Sequence, residues 1–409
     1  MNAAKHKPRV AIVSPFLDKW HGTERPVVEW TSRLCDQFEI HIYTQAIEDV
    51  DLAKATLHRI PMLRGPHILN FLWWFAANHL WRSWDHYGRG LRHDIVLTPG
   101  TNCLDADVVS VHIVFAEFVH RVKSQLEFTA NPLRFWPRLL HRRLYYRLII
   151  ALERRIYTNP RTTLVYIARK VVADVERFYG CRDSDTLPIL YAGIDQNIFN
   201  PDRRRSSRVS SRRRLQLADS RFFLLLVGND WHKKGIRVLL DSLLLLRDLP
   251  VDLLLVGSDD PSAFSVLVAE KGLSQRVHFL PPRKDVEFYY AAADIYIGAS
   301  LEDAYALPPA EAMACALPVI VSSKAGVSEI ITHGVDGLIL NDPTDAESLA
   351  SMIRKLYVDP ALRGRIGENA AQTARQFTWE QNAHDLAAIF QQIIRRKSQA
   401  NGQTLPQES

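Results

Sequence analysis

The sequence predicts an α/β fold with two domains, each built around a parallel β-sheet. With 409 residues, 47% of them hydrophobic, the chain is longer than one domain and can bury two cores. Short apolar runs alternate with helical patterns, and the runs hold few polar residues, as in parallel strands buried on both faces. The alternation stops in a Ser- and Arg-rich segment, residues 201–220, and then starts again.

Twelve apolar runs are interpreted as strands, six before the break and six after it. Strand–helix–strand repetition of this kind predicts a parallel sheet in each half. The runs are Val10–Val13, Ile40–Tyr43, Ile95–Leu97, Val108–Val111, Leu164–Ile167, Pro188–Tyr191, Phe222–Val227, Val251–Val256, Arg276–Leu280, Ile295–Ile297, Pro318–Val321 and Leu338–Leu340.

The break also predicts the domain organisation. Residues 1–200 are expected to form an N-terminal, acceptor-side Rossmann-like domain, and residues 201–220 a linker. Residues 221–375 are expected to form a second Rossmann-like domain. We expect residues 376–395 to form a helix that packs back on the N-terminal domain, and residues 396–409 to be a disordered tail.

The net charge of +6 lies in the first half of the chain. Residues 1–200 hold 26 Lys and Arg against 20 Asp and Glu, so the second half is balanced. Such an excess favours an anionic partner: a membrane surface, a phospholipid head group or nucleic acid. No recognised nucleic-acid module appears, and phosphate contacts alone carry no sequence information, so no specific nucleic acid is expected.

Residues 133–157 concentrate this positive charge, and two interpretations of them are open. Arginines four residues apart run beside a row of apolar residues: Trp136, Leu140, Leu144 and Leu148. Basic residues beside aromatic ones suit peripheral contact with an anionic membrane. Alternatively, the segment is an amphipathic helix packed on its own domain. Residues 68–81 (ILNFLWWFAANHLW) leave a similar choice between an interfacial or acceptor-contacting segment and core.

Cysteine usage and the N-terminus predict the compartment. The four cysteines have no metal-ligand spacing and are too few for a disulfide scaffold, which favours a reducing cytosol. The first residues contain no apolar core of a secretory signal, and residues 68–81 are too short and too polar to span a bilayer. The expected location is the cytoplasm, with any membrane contact at the inner face.

The segment GNDWHKKG, residues 228–235, follows an apolar run and precedes a helical pattern. Gly228 at the end of a strand lets backbone N–H groups approach an anion, and a helix N-terminus favours negative charge. Lys234 is placed to neutralise a phosphate there. Alternatively, the segment is an ordinary strand-to-helix turn with surface lysines.

The segment LEDAYALPPAEAMACALPVIVS, residues 301–322, carries two carboxylates, Asp303 and Glu311. Pro308 and Pro309 predict the start of a helix, because proline suits the first helical positions. Glu311 is then expected in the first helical turn and Asp303 in the preceding loop, so both can bind paired sugar hydroxyls. Alternatively, Glu311 is an acid that favours the helix dipole and Asp303 is solvated.

These two segments resemble motifs of the large retaining glycosyltransferase family of GT-B fold, known as group 1 or family four. HGTERPVVEW, LYAGIDQNIFNP and Trp379 in FTWEQNA strengthen the resemblance, because all the motifs occur in the family's order over roughly residues 8–395. The resemblance implies two Rossmann-like, doubly wound domains that face each other across a cleft. It also implies that the second domain holds most of a nucleotide-diphosphate sugar, the donor.

The resemblance assigns roles within the second domain. Lys234 matches the lysine that pairs with the diphosphate, and Asn229 stands where an arginine is usual. Glu311 matches the glutamate placed near the ribose. Asp303 matches a first glutamate near the donor hexose; it is one methylene shorter, and the adjacent Glu302 is an alternative for this role. The backbone N–H groups expected to face the sugar and phosphates belong to Tyr305, Ala306 and Leu307.

In the first domain the resemblance assigns two further elements. Gly22 and Thr23 match a glycine loop that approaches the diphosphate, although the family usually has a second glycine where Thr23 stands. His112, in DVVSVHIVF, matches a histidine that lines the active site near the transferred sugar. The predicted catalytic residues are therefore His112, Lys234 and Asp303.

The implied function is retaining transfer of a hexose from a nucleotide sugar to a hydroxyl of a glycan or lipid-linked acceptor, in cell-envelope or polysaccharide biosynthesis. The resemblance implies no cofactor and no obligatory metal. Three alternatives stay open: another GT-B enzyme on nucleotide sugars such as an epimerase, a basic protein that binds membrane or nucleic acid, and a catalytically silent scaffold.

Overall fold

The computed structural model describes residues 7–19, 22–48, 54–122, 136–180 and 188–400. The chain divides into two compact units. The first unit runs to Tyr191 and takes in the chain again from Trp379 onward, whereas the second unit runs from Ala192 to Thr378.

The first unit contains eight of the described strands and five of the helices that precede Tyr191. They are β1 (Arg9–Val13), β2 (Phe16–Leu17), α1 (Arg25–Leu34), β3 (Glu39–Thr44), β4 (Ala46–Ile47), β5 (Thr56–Arg59), α2 (His67–Arg89), β6 (Ile95–Pro99), β7 (Val108–Val111), α3 (Phe115–Arg121), α4 (Trp136–Tyr157), β8 (Thr163–Tyr166) and α5 (Arg169–Tyr179).

The second unit has a similar alternation of strands and helices, and the chain ends its described part in a helix of the first unit. The elements are α6 (Pro201–Arg214), β9 (Phe222–Val227), α7 (Ile236–Leu245), β10 (Val251–Val256), α8 (Ser262–Glu270), β11 (Val277–Leu280), α9 (Glu287–Ala292), β12 (Ile295–Gly298), α10 (Leu307–Ala314), β13 (Val319–Ser322), β14 (Leu338–Leu340), α11 (Ala346–Val358), α12 (Pro360–Ala374) and, in the first unit, α13 (Trp379–Ala400).

The two main sheets share one topology, with strand orders β5-β3-β1-β6-β7-β8 and β11-β10-β9-β12-β13-β14. Neighbouring strands in both sheets pair in parallel. The order reverses beside the central strands β1 and β9, and ligands of such sheets bind at this switch point, outside the carboxyl ends of the strands. The predicted fold class, two Rossmann-like α/β domains, is confirmed.

Helix α13 completes the core of the first unit by packing against α1. Leu386 and Phe390 of α13 are fully buried, and the ring of Phe390 makes an edge contact with Phe38 at 5.5 Å between centroids. The buried indole N–H of Trp30 donates a hydrogen bond to the carboxamide oxygen of Asn382. The last helix of the chain is therefore part of the first unit's core.

Eleven of the twelve predicted runs overlap a strand, and the prediction at Pro188–Tyr191 was wrong. Those residues make a single bridge, between Ile189 and Tyr166, at the edge of the first sheet. Strand β5 was missed because its side chains are mostly exposed and polar, as is common at a sheet edge.

The predicted linker at residues 201–220 was also wrong, because Pro201–Arg214 form α6. The side chain of Asn200 caps this helix by accepting a hydrogen bond from the backbone N–H of Arg203 at 2.9 Å, and Pro201 stands at a favourable first position. The unit boundary therefore lies before the helix, at Tyr191. Similarly, α13 continues to Ala400 into the predicted tail, of which residues 401–409 lie outside the described residues.

The arginines of α6 explain why a segment without an apolar pattern folds. Arg204, Arg208 and Arg212 lie on one face and donate to backbone carbonyls at the C-terminal end of α9. Arg208 and Arg212 also bind the two carboxylate oxygens of Asp294. Positive charge at the C-terminal end of a helix complements its dipole. These three guanidinium groups thus bind protein, which weakens the alternative of a nucleic-acid contact here.

We expect Arg208→Ala to lower the free energy of unfolding by about 2 kcal/mol, because three hydrogen bonds from the guanidinium group, one of them to a carboxylate, are lost. Urea unfolding monitored by circular dichroism measures the change. The matched control is Arg205→Ala on the same helix, whose side chain is 73% exposed and which should change stability by less than about 0.5 kcal/mol. Equal effects for the two variants would contradict this role.

Candidate functional site

The turn after β9 is built on two glycines that lie where the second sheet reverses its order. Gly228 (φ 141°) follows the last strand residue, and Gly235 (φ 83°) immediately precedes α7. A Cβ atom on Gly235 would lie 2.1 Å from the carbonyl oxygen of Ala299, which follows β12. Only glycine permits both this φ angle and this approach, so the turn is held against the end of β12.

Lys234 and Asp303 meet at this place. Lys234 Nζ forms an ion pair with Asp303 Oδ2, and the two side chains are 23% and 18% exposed. The backbone N–H of Asp303 donates to the carbonyl of Lys324 at 3.2 Å, and its own carbonyl accepts from Gly326 at 3.2 Å. These bonds fix the loop that carries the carboxylate. The ion pair therefore places the carboxylate of Asp303 directly beside Lys234.

Asn229 links the ends of two neighbouring strands instead of presenting a charge. Its carboxamide oxygen accepts hydrogen bonds from the backbone N–H and the hydroxyl of Ser258, at 2.9 and 3.0 Å. Ser258 is the second residue after β10. An arginine, which has no acceptor, could not make these two bonds.

The loop before α10 has a backbone conformation that is unusual for its residue. Ala306 has φ 68° and ψ 92° and directly precedes the helix, which begins at Leu307 as predicted. A left-handed conformation at a residue with a Cβ costs about 1 kcal/mol or more. Tyr305, whose side chain is 3% exposed, anchors the loop because its carbonyl accepts from the N–H of Val327 at 2.7 Å.

Glu311 lies deeper in α10 than predicted. It is the fifth residue of α10, which begins at Leu307, so the prediction that it lies in the first helical turn was wrong. Leu307, the two prolines and Ala310 occupy the first turn, and Glu311 begins the second. The side chain is 3% exposed, and the hydroxyl of Tyr290 donates to Glu311 Oε2 at 2.8 Å. Burial and the Glu311 charge raise the pKa of Tyr290, which therefore stays a donor.

In the first unit, His112 directly follows β7 and is 5% exposed. Its Nε2 lies 2.6 Å from the hydroxyl of Ser110, and no described group is a hydrogen-bond partner of its Nδ1. Burial lowers the pKa of the imidazole from 6.5 to about 4. His112 is therefore a neutral ring at physiological pH and can exchange hydrogen bonds without carrying charge.

This pKa predicts how stability depends on pH. Because the folded-state pKa of His112 is depressed, the unfolded chain binds the extra proton between about pH 6.5 and pH 4, so stability falls as pH falls through this window. We expect His112 to account for a loss of about 2 kcal/mol between pH 7 and pH 4.5. Urea unfolding at both pH values measures it. His112→Gln should show a pH dependence smaller by that amount; an unchanged dependence would contradict the assignment.

His112 lines a cavity of about 320 Å³ at the carboxyl ends of the first unit's strands. The wall includes Ser14, which follows β1, Gly100, which follows β6, and Thr23 before α1. Thr23 donates from its hydroxyl to the carboxylate of Glu24. Gly22 precedes Thr23, and a Cβ atom on it would meet no other atom within 4 Å.

The structure thus groups the predicted residues in two places. Gly228, Asn229, Lys234 and Asp303 lie around the switch point of the second sheet, and Tyr305, Ala306, Leu307 and Glu311 follow on the loop and helix after β12. Thr23 and His112 line the cavity of the first unit. Sequence reasoning missed Tyr290, Ser258 and Glu24, because nothing in their local pattern separates a buried tyrosine or an ordinary polar residue from a site residue.

Two properties of the described residues bear on other kinds of site. Within this part of the chain, no group of three or more His, Cys, Asp and Glu residues could hold a metal ion. None of its helices is both long and apolar enough to cross a membrane.

The second unit carries a known family signature. Residues 207–373 match the family model described as glycosyl transferases group 1, and this stretch contains the Lys234–Asp303 pair and Glu311. This part of the chain is therefore a group 1 glycosyltransferase domain, as the motifs predicted.

Individual relatives carry the comparison further along the chain. The D-inositol 3-phosphate glycosyltransferase of Stackebrandtia nassauensis is 30% identical over 232 residues, which are 53% of this chain and 51% of the relative. The lipopolysaccharide glucosyltransferase WaaG of Escherichia coli strain K12 is 28% identical over 256 residues, which are 59% of this chain and 66% of the relative. The match thus spans about half to two thirds of the length of these curated relatives.

Solved structures show that the fold itself is shared over nearly the whole chain. The crystal structure of WaaG superimposes with a TM-score of 0.75 at 24% identity, covering 93% of this chain and 99% of that one. Anabaena HepE in complex with UDP-glucose gives a TM-score of 0.67 at 19% identity, covering 96% and 99%. The fold is that of the GT-B glycosyltransferases.

Proposed function

We propose that the protein transfers a hexose from a nucleotide-diphosphate sugar to a hydroxyl of a glycan or lipid-linked acceptor. The observation that carries the proposal is the Lys234–Asp303 pair, fixed at the switch point of a sheet inside a group 1 glycosyltransferase domain. A cation beside a carboxylate suits a ligand that has a diphosphate at one end and sugar hydroxyls at the other.

The donor is proposed to bind in the second unit. Lys234 and the N-terminal ends of α7 and α10 offer positive charge to the diphosphate. Asp303 is proposed to accept hydrogen bonds from the hexose, and Glu311, held by Tyr290, from the ribose. A relative of the same fold, HepE, has been crystallised with UDP-glucose, which supports a nucleoside diphosphate hexose as the donor.

The proposed chemistry is electrostatic. The bond from the anomeric carbon to the diphosphate breaks, the acceptor oxygen bonds to that carbon, and the acceptor proton passes to a phosphate oxygen. Lys234 and the helix N-termini stabilise the charge that develops on the leaving diphosphate. Retention of the anomeric configuration and independence from metal are part of the proposal. The neutral ring of His112 is proposed to contact the transferred sugar.

A panel of nucleotide sugars screened by thermal shift tests the donor assignment. A true donor at a hundredfold excess over its dissociation constant should stabilise the protein by about 2.7 kcal/mol. The same ligand should stabilise the Lys234→Ala variant far less. If no nucleotide sugar stabilises the wild-type protein, the proposed function is wrong. Product analysis by NMR separates a transferase, which makes a new glycoside, from an epimerase, which returns an altered nucleotide sugar.

We also propose that the first unit contacts an anionic membrane through α4, at the inner face of the membrane. Trp136, Leu140 and Leu144 are 41%, 52% and 48% exposed, and exposed arginines such as Arg138 and Arg142 lie beside them. Apolar side chains flanked by arginines match the interface of an anionic bilayer. Arg134, which would extend the row, lies outside the described residues.

Sedimentation with phosphatidylglycerol vesicles at low salt tests the contact. The wild-type protein should pellet, and a Leu140→Ser, Leu144→Ser variant should stay mainly in the supernatant. The matched control is Val209→Ser, which removes a valine that is 69% exposed on α6 of the second unit. Failure of the wild-type protein to pellet would overturn the membrane contact and leave the transferase proposal untouched.

A further inference from the structure

The cavity of the first unit has an aromatic wall held in fixed orientation. Trp74 is 1% exposed, and its indole N–H donates to the carboxamide oxygen of Asn102 at 3.1 Å. Phe71 and Tyr145 make an edge contact at 5.6 Å, and all four side chains line the cavity. A rigid aromatic surface with an amide beside it suits a molecule that has both an apolar face and hydroxyl groups.

The same wall carries little positive charge. Among the residues that line the cavity in the described part of the chain, none is Lys or Arg, and Glu24 is the one carboxylate. His112, whose pKa is lowered by burial, adds no charge either. An anionic group placed in the cavity would therefore lose water and face Glu24 with no lysine or arginine among the described wall residues to pair with it, which is unfavourable.

One of the helix ends at this wall, the start of α3, is already occupied by a carboxylate of the protein. The backbone N–H groups of Phe115 and Ala116, at the start of α3, donate to the buried Glu153 at 2.7 and 3.2 Å. The hydroxyl of Tyr179 donates to the same carboxyl group at 2.6 Å. These donors satisfy Glu153, so the amides of Phe115 and Ala116 are not available to an external phosphate.

We infer that the acceptor bound in this cavity is an uncharged sugar ring rather than a phosphorylated sugar or polyol. The inference rests on the proposed function and narrows its acceptor. The apolar face of the ring packs on Trp74 and Phe71, and its hydroxyl groups meet the amide, hydroxyl and neutral imidazole groups of the wall. One of the two curated relatives compared above is named a D-inositol 3-phosphate glycosyltransferase. The negative charge of such a phosphorylated polyol does not suit the wall of this cavity.

Direct binding to the full chain tests the inference with matched pairs of probes. Methyl α-glucopyranoside is compared with glucose 6-phosphate, and myo-inositol with inositol 1-phosphate, by saturation-transfer NMR and titration at low salt. The neutral glucoside should bind at least about tenfold more tightly than glucose 6-phosphate, which corresponds to about 1.4 kcal/mol. Tighter or equal binding of the phosphorylated probes overturns the inference, and so does the absence of binding by both neutral probes.

A charge-neutral variant sharpens the test. Relative to any change for the neutral glucoside, Glu24→Gln should strengthen binding of glucose 6-phosphate by about threefold to tenfold, because a like charge is removed. The control is Glu347→Gln, an exposed acid at the start of α11 in the second unit, which should change neither. No gain for glucose 6-phosphate in Glu24→Gln would overturn the electrostatic argument. The nucleotide-sugar screen on the same samples separates failure of this inference from failure of the proposed function. If the proposed function is wrong, no nucleotide sugar binds; if only this inference is wrong, a nucleotide sugar still binds.

Discussion

Replacing Lys234 with alanine is expected to lower kcat/KM for transfer by about two to three orders of magnitude. Two effects act together. The leaving diphosphate loses a cation, and Asp303, which Lys234 neutralises in the structure, becomes an unpaired carboxylate facing an anionic ligand. Initial rates of transfer with the donor found in the nucleotide-sugar screen measure the change, and thermal shift reports the accompanying loss of donor affinity.

Neighbouring residues provide the controls for Lys234. Lys233→Ala removes an adjacent lysine that is 57% exposed and pairs with Asp230 on the surface, so it should alter kcat/KM by less than about threefold. In a Lys234→Ala, Asp303→Ala double variant, affinity for the nucleoside diphosphate should recover by about tenfold relative to Lys234→Ala, because the repulsion is gone. Undiminished transfer by Lys234→Ala would remove this lysine from the site.

The second large effect is expected on folding, from Gly235→Ala. The new Cβ atom would lie 2.1 Å from a backbone oxygen of Ala299, at a residue with φ 83°. The left-handed conformation alone costs about 1 kcal/mol, and the collision must shift either the turn or the end of β12. We expect the free energy of unfolding to fall by about 3 kcal/mol or more, as measured by urea denaturation.

A variant at Gly272 separates the cost of the backbone conformation from the cost of the collision. It has φ 66°, and a Cβ atom on it would meet nothing within 4 Å. Gly272→Ala should therefore cost about 1 kcal/mol, from the conformation alone. If Gly235→Ala costs no more than Gly272→Ala, the close approach between the turn and β12 does not constrain the protein.

The fold was largely predictable because its sheets are parallel. Strands such as Phe222–Val227 and Val251–Val256 are buried on both faces, so their sequences are mainly apolar runs between polar turns. The errors fell where burial does not dictate composition. β5 is an exposed edge strand, and α6 has arginines where an apolar stripe would be expected, because its partner is a row of carbonyl groups.

The positions of the predicted site residues in the fold were easier to predict than their contacts. Glycines at a strand end and a Pro-Pro helix start indicated where Lys234 and Asp303 lie, since the carboxyl ends of parallel strands meet at one edge. Their pairing was not predicted, because the two residues are 69 positions apart in the sequence. The bond from Tyr290 to Glu311 and that from Ser258 to Asn229 likewise arise only when separate elements are packed together.

The pairing of Lys234 with Asp303 has a consequence for the order of events in a reaction cycle. Since the lysine already has an internal counter-ion, an arriving diphosphate does not meet a bare cation; it takes the place of a carboxylate. Under the proposed function, binding of the donor is then an exchange of anions at Lys234, and release of the nucleotide product is the reverse exchange, in which Asp303 pairs with the lysine again. Under the proposed function, this internal counter-ion would favour release of the nucleotide product and would weaken binding of the donor.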